Sequence, residues 1–113
     1  MTQPQSGSVM SVCGPVSSSD LGITLVHEHL IVESRCYWSP ADDPDVAFVP
    51  LDLDQLGRVR SAPFACRDNL SIDDPHTSLE ELERYQKVGG KTIVDVSPPG
   101  LGRDVRVLEW LSE

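Results

Sequence analysis

The chain has 113 residues, which is enough for one small domain and too few for two. Its 18 acidic residues outnumber 9 basic ones, and the net charge of −9 argues against nucleic acid or an anionic membrane surface as a partner. No stretch approaches the roughly 20 apolar residues of a membrane span. The polar opening MTQPQSGSVM does not resemble a signal peptide, so we expect a cytoplasmic protein. Three widely spaced cysteines predict no disulfide framework.

The first elements in chain order are a tail, a small hairpin and a strand. Residues 1–8 are expected to be a loose tail, and Gly14 breaks two short β-favouring runs, which favours a hairpin. Residues 23–26 (ITLV) form a nearly continuous apolar run. Such a run is typical of a parallel strand buried on both faces. Residues 27–29 (HEH) follow directly, at the C-terminal end of the predicted strand.

A long acidic connection is predicted next, over residues 30–77, with one short helix near residues 53–60. A loop of this length is uncommon within a compact domain unless it is functional. The sequence then gives clear helix signals. Thr77 or Ser78 is the predicted cap, with a glutamate three residues later, and Gly89 is the predicted stop.

The last elements are a second strand and another helix. Residues 91–96 (KTIVDV) are apolar and β-branched, residues 97–102 read as a turn, and an amphipathic helix begins near Asp104. The order is therefore strand, long loop, helix, strand, loop, helix. This alternation predicts an α/β fold with βαβ units and a parallel sheet.

His27 and His29 are the candidate metal ligands. Two residues apart on a strand, both imidazoles project from the same face, while Glu28 points the other way and is not assigned as a ligand. Neutral imidazoles suit a divalent cation, Zn²⁺ above all. The alternative is that strand-end histidines are ordinary hydrogen-bonding residues. His76 stands far from both in sequence and is predicted to be a surface or capping residue.

Three further residues are candidates for the surroundings of such a site. Asp95 closes the second strand, where it could orient a ligand histidine; alternatively it bonds loop backbone or pairs with Arg103. Tyr37 and Trp38 lie early in the long loop, where they could line a substrate pocket. Packing of these aromatic rings onto the rest of the domain is the other interpretation.

The sequence resembles the phosphotriesterase family in two motifs. The run GITLVHEHL over residues 22–30, preceded by VCGPV over residues 12–16, looks like the opening of these proteins. The run GGKTIVDVS over residues 89–97, followed by GRD at 102–104, resembles their second strand and its exit loop. Two motifs in the right order, separated by a capped helix, are more specific than either alone.

This resemblance implies the N-terminal part of a (β/α)8 TIM barrel of the amidohydrolase superfamily. Residues 9–113 would supply the small hairpin and the first two strand-helix units, leaving an incomplete barrel, since a closed one needs about 250 residues. His27 and His29 carry over as ligands of the more buried of two divalent metals. Two Zn²⁺ ions are expected, with Co, Mn or Fe as alternatives. The other ligands and the catalytic residues would lie beyond residue 113.

The implied activity is hydrolysis of a small-molecule ester, lactone or phosphotriester by metal-activated water. The full-length protein would be a candidate homodimer, and the 113-residue chain alone is expected to be inactive. The alternative from another class is a non-catalytic remnant or binding module that needs the missing part of the barrel. A cyclic-amide hydrolase, which shares the two-histidine motif, is a third interpretation.

Overall fold

The computed structural model describes residues 7–113, which form two compact units. The described part of the first unit comprises residues 7–30, Asp74–Ser97 and Asp104–Glu113, and the second unit comprises Ile31–Asp73 and Pro98–Arg103. Most of the predicted N-terminal tail, residues 1–6, lies outside the described residues. The strands are β1 (Ser8–Ser11), β2 (Gly14–Ser17), β3 (Ile23–Glu28), β4 (Val32–Glu33), β5 (Ser71–Ile72) and β6 (Gly90–Asp95). The α-helices are α1 (Leu56–Ser61), α2 (Pro75–Lys87) and α3 (Val105–Ser112).

The predicted hairpin is present in the first unit. Strands β1 and β2 pair antiparallel, with Val9 opposite Val16. The turn between them brings Gly14 to a φ of +107°, where a residue with a Cβ would be strained.

The parallel sheet is also confirmed. Strands β3 and β6 pair in parallel, and the connection between them includes α2. Helix α2 contacts both strands near their N-terminal ends through Tyr85, whose hydroxyl lies 2.8 Å from the Ile23 carbonyl oxygen and 3.2 Å from that of Thr92. Gly90 makes this approach feasible, because a Cβ at that position would overlap the Tyr85 ring. One phenol therefore ties the helix to both strands.

Burial of the first strand on both faces, as its apolar run predicts, is not observed. Ile23 is 61% exposed and Val26 is 71% exposed within the described chain. The physical reason is the size of the sheet: β3 and β6 form a two-stranded sheet. Two-sided burial of a parallel strand needs neighbouring strands and helices over both faces.

Helix α2 is capped earlier than expected, three residues before Thr77 and four before Ser78, the two predicted caps. Asp74 is the cap, and its side chain accepts hydrogen bonds from the His76 backbone N–H at 3.0 Å and the Thr77 hydroxyl at 2.8 Å. Pro75 explains the shift, since its restricted φ and missing N–H suit the first helical position. Ser78 instead lies buried within the first turn. The predicted stop is confirmed, with Gly89 at a φ of +98°.

The predicted start of helix α3 is correct. The Asp104 side chain accepts hydrogen bonds from the backbone N–H groups of Arg106 at 3.0 Å and Val107 at 3.3 Å, as an N-cap does. None of the helices within residues 7–113 has the length and apolar character needed to cross a membrane.

Most of the predicted long connection over residues 30–77 lies in the second unit, where it holds two short strands besides the one helix expected there. Strands β4 and β5 pair antiparallel, and helix α1, preceded by the 3-10 turn Leu53–Gln55, confirms the short helix predicted near residues 53–60. Arg58 pairs with Asp43 at 2.6 Å and with Asp45 at 2.8 Å. Small apolar side chains from separate parts of the segment pack together into a core. Their positions in the sequence show no periodic pattern. The core consists of Val46, Val59, Ala65 and Cys66.

The three cysteines form no disulfide in the structure. Cys13, Cys36 and Cys66 are all free thiols, and only Cys66 is buried. Its Sγ lies 3.7 Å from the Val49 carbonyl oxygen, so it behaves as a packed core residue.

Candidate functional site

The two candidate ligand histidines lie together at the C-terminal end of β3. Their ring centroids are 5.5 Å apart, and the ring planes meet edge to face at 70°. His27 is exposed and His29 is half-buried. The alternation of side chains along the strand produces this arrangement, because it places residues two apart on one face. Metal ligation by the pair stays a prediction.

His29 is held by a residue that the sequence did not single out. Its Nδ1 lies 2.8 Å from the hydroxyl of Ser97, which is only 2% exposed and follows the end of β6. Within residues 7–113 no described hydrogen bond involves Nε2 of His29. No local pattern singled out Ser97, because its partner His29 lies 68 residues away in sequence.

The hydrogen bonds that the structure describes for Asp95 go to loop backbone, which was one of the predicted alternatives. One carboxylate oxygen accepts from the Leu30 N–H at 2.8 Å, and the other accepts from the Ser97 N–H at 2.8 Å. The Leu30 carbonyl in turn accepts a 2.6 Å hydrogen bond from the Ser78 hydroxyl. The backbone beyond the ends of both parallel strands is therefore fixed by side-chain hydrogen bonds.

The two histidines suit a divalent metal as two members of a larger set of ligands. Nδ1 of His29 is engaged and its Nε2 is available, which is the usual arrangement of an imidazole ligand. Among the described residues, however, no group of three or more His, Cys, Asp or Glu side chains is placed to hold a metal. A structural zinc takes four ligands and a catalytic one usually three from the protein. A metal bound by the two histidines therefore needs further ligands.

Tyr37 and Trp38 lie in the second unit, and the structure describes their contacts there. The Trp38 indole N–H donates to the Ala65 carbonyl at 2.9 Å, and its ring packs edge-on against Phe48 with centroids 5.0 Å apart. Tyr37 is 58% exposed and lies beside Phe64 at 5.9 Å. Trp38 is thus anchored within its own unit, and a substrate-binding role for either ring stays a prediction.

His76 is an exposed residue of the first turn of α2, as expected for a surface histidine. It does not cap the helix, since Asp74 does. Its ring meets the Trp110 ring edge-on, with centroids 5.4 Å apart. This contact joins α2 to α3 and gives His76 a packing role.

Comparison with known families identifies the family to which this chain belongs. The model of the phosphotriesterase family matches residues 7–113. The chain belongs to the phosphotriesterase family. The match includes both motifs described above, the two-histidine strand and the second strand with its exit loop.

Individual relatives of this phosphotriesterase-family chain agree with that result. It is 37% identical to an N-acetyltaurine hydrolase of Salmo salar over 111 residues, which are 96% of this chain and 32% of that protein. The N-acetyltaurine hydrolase of Rattus norvegicus is 35% identical over the same length. A phosphotriesterase-related protein of Nematostella vectensis is 32% identical over 113 residues. The chain thus spans 32% of the length of these curated relatives.

A solved structure shares the fold. The crystal structure of a resiniferatoxin-binding protein from Rhodobacter sphaeroides matches with a TM-score of 0.89 and 39% sequence identity. The match covers 96% of this chain and 31% of that one. The arrangement of strands and helices described here therefore recurs in a longer protein.

Proposed function

We propose that His27 and His29 are metal ligands of a hydrolase of the phosphotriesterase family. The observation that carries the proposal is the pair of imidazoles, 5.5 Å apart, at the C-terminal end of a parallel strand. Active sites of α/β barrels stand at that end of the strands. When bound, a divalent metal would supply an activated water and polarise the bond under attack. Two Zn²⁺ ions are the proposed complement, with Co, Mn or Fe as alternatives.

The chain's own residues would hold this centre in place. The Ser97 hydroxyl contacts Nδ1 of His29, and Asp95 fixes the backbone of Leu30 and Ser97. The half-buried His29 is thereby restrained, whereas the exposed His27 is open to solvent. Remaining ligands would come from other strands of a (β/α)8 barrel, of which β3, α2, β6 and α3 would be the first two units. This view is supported by the length of the relatives, of which the chain spans 32%.

Exposed apolar side chains of the sheet also support a larger barrel. Ile23 at 61% exposure and Val26 at 71% would be covered by neighbouring strands and helices. Residues 7–113 would then fold most stably together with the rest of that barrel. The chain alone would be inactive, because two imidazoles do not complete a catalytic metal site.

The first substrate class to test is an N-acyl amide. Relatives named N-acetyltaurine hydrolase are 37% and 35% identical to this chain over most of its length. Hydrolysis of an amide, like that of an ester, lactone or phosphotriester, needs a polarised electrophile and an activated water. The other three classes therefore remain second candidates, and a small molecule is the proposed substrate in every case.

The test uses the full-length protein that carries residues 7–113. Metal content is measured by elemental analysis, and turnover is assayed with N-acetyltaurine, a lactone and a paraoxon-type phosphotriester. His27→Ala and His29→Ala should each lose most of the turnover, with metal content falling toward half, since the pair is proposed to bind one of the two metals. His76→Ala is the matched control, since it removes an imidazole remote in sequence, and it should keep both.

Two outcomes would count against the proposal. Full metal content in His27→Ala or His29→Ala would remove that histidine from the ligand set. A wild-type protein with neither bound metal nor turnover on any substrate would favour the binding-module alternative. The substrate that turns over with the highest kcat/KM identifies the class.

A further inference from the structure

We propose that Ser97 is the positioning residue of the metal centre: its hydroxyl accepts the Nδ1–H of His29 and so leaves Nε2 free to bind a metal. The proposal rests on the proposed function, because ligation through Nε2 is what requires Nδ1 to carry the proton. The hydrogen bond and the protonation state that it selects are properties of the chain. They can be measured with no metal present.

The contact is built into the fold. Ser97 and His29 are 68 residues apart in sequence, yet the Ser97 Oγ lies 2.8 Å from Nδ1 of His29. Ser97 is 2% exposed, so water has little access to compete for the hydroxyl. A hydrogen bond at a buried group is costly to break, because water does not readily replace it.

Asp95 holds both ends of this contact. Its carboxylate accepts hydrogen bonds from the Ser97 N–H and from the Leu30 N–H, each at 2.8 Å. Leu30 directly follows His29. Asp95, Ser97, His29 and Leu30 are thus linked in a closed ring by three hydrogen bonds and the peptide bond between His29 and Leu30. A shift of the Ser97 hydroxyl or of the His29 imidazole would strain this ring.

The 2.8 Å contact allows either atom to donate, and the proposed ligation through Nε2 requires that Nδ1 does. A neutral imidazole carries one N–H, and only the unprotonated nitrogen can bind a metal. If Ser97 donated to Nδ1, the proton would sit on Nε2 and block ligation there. With Ser97 as the acceptor, Nδ1 keeps the proton and Nε2 presents its lone pair. Metal-ligating histidines commonly donate their other N–H to such a partner.

The first experiment measures the tautomer directly. In the metal-free full-length protein with ¹⁵N-labelled histidine, long-range ¹H–¹⁵N correlation spectra separate protonated from unprotonated ring nitrogens. At a pH where His29 is neutral, we expect the proton on Nδ1 in the wild type and a loss of that preference in Ser97→Ala. A predominant Nε2–H form in the wild type would overturn the proposal.

The second experiment measures metal affinity by competition of Zn²⁺ or Co²⁺ with a chelator. Ser97→Ala should bind about 10–100-fold more weakly, the usual loss for a residue that supports a ligand histidine. Ser97→Thr keeps the hydroxyl and should recover part of the loss. Ser19→Ala, an exposed serine of the same unit, is the matched control and should bind like the wild type.

The outcomes separate this proposal from the proposed function. Unchanged metal affinity and an unchanged tautomer in Ser97→Ala would refute the positioning role while leaving the ligand histidines intact. If the wild type binds no metal, the proposed function fails and the positioning role fails with it, whereas bound metal with an Nε2–H tautomer in the metal-free protein would refute the role of Ser97 alone. If Ser97→Ala does not fold, the wild-type tautomer alone confirms or refutes the hydrogen bond's direction.

Discussion

Asp95 and Leu30 are joined across the parallel sheet by a 2.8 Å hydrogen bond from the Leu30 backbone N–H to the Asp95 carboxylate. The second carboxylate oxygen accepts the N–H of Ser97, also at 2.8 Å. Both N–H groups lie just beyond strand ends, where the sheet no longer provides acceptors. One acidic side chain thus satisfies backbone donors that follow β3 and β6.

The substitution Asp95→Asn should therefore destabilise the protein. The amide keeps one acceptor oxygen but turns an NH₂ group toward a backbone N–H, so one half-buried donor loses its partner. We expect the free energy of unfolding to fall by about 1–3 kcal/mol, measured by urea denaturation. Asp42→Asn, at an exposed site, is the control and should stay within about 0.5 kcal/mol of the wild type. Equal stability of the two variants would contradict the role assigned to Asp95.

The close approach of Tyr85 to Gly90 gives a second prediction. A Cβ on residue 90 would overlap the Tyr85 ring, so Gly90→Ala should cost about 1–3 kcal/mol of stability through overpacking. Gly100→Ala is the control, because nothing lies within 4 Å of a Cβ there. In a Tyr85→Ala background the same Gly90→Ala change should cost much less, which a double-mutant cycle measures. Additive effects would show that the ring is not the obstacle.

The ion pair between Glu33 and Arg35 gives a prediction about pH. The side-chain hydrogen bond from Arg35, followed by its backbone N–H, lowers the pKa of Glu33 from 4.5 to about 2. Because the folded-state pKa is depressed, the stabilisation is complete above pH 4.5 and is lost as the pH falls toward 2. A ¹³C NMR titration of the carboxyl group should show this low pKa.

Two variants check the cause of the Glu33 shift. Arg35→Gln should return the pKa of Glu33 toward 4.5, since it removes the guanidinium that contacts the carboxylate. Arg84→Gln removes a guanidinium that pairs with Glu81 instead, and should leave the Glu33 titration unchanged. A wild-type Glu33 that titrates near 4.5 would rule out the pair in solution.

Local patterns along the chain were enough to predict much of the first unit. The alternation of strand, helix and strand predicted the parallel pairing of β3 and β6, and Asp104 was expected at the start of α3. His27 and His29 were expected to share one face of a strand end, and their rings lie 5.5 Å apart. These features depend on residues within a few positions of one another, so the sequence carries them directly.

The remaining features depend on contacts between residues far apart in sequence. Ser97 meets His29 across 68 residues because the parallel register of β3 and β6 aligns their ends. The core around Val46 and Cys66 forms from scattered small side chains that show no period. Register and packing are products of the whole fold, and no local pattern encodes them. The two histidines could therefore be read from the chain, whereas the serine that holds one of them required the folded structure.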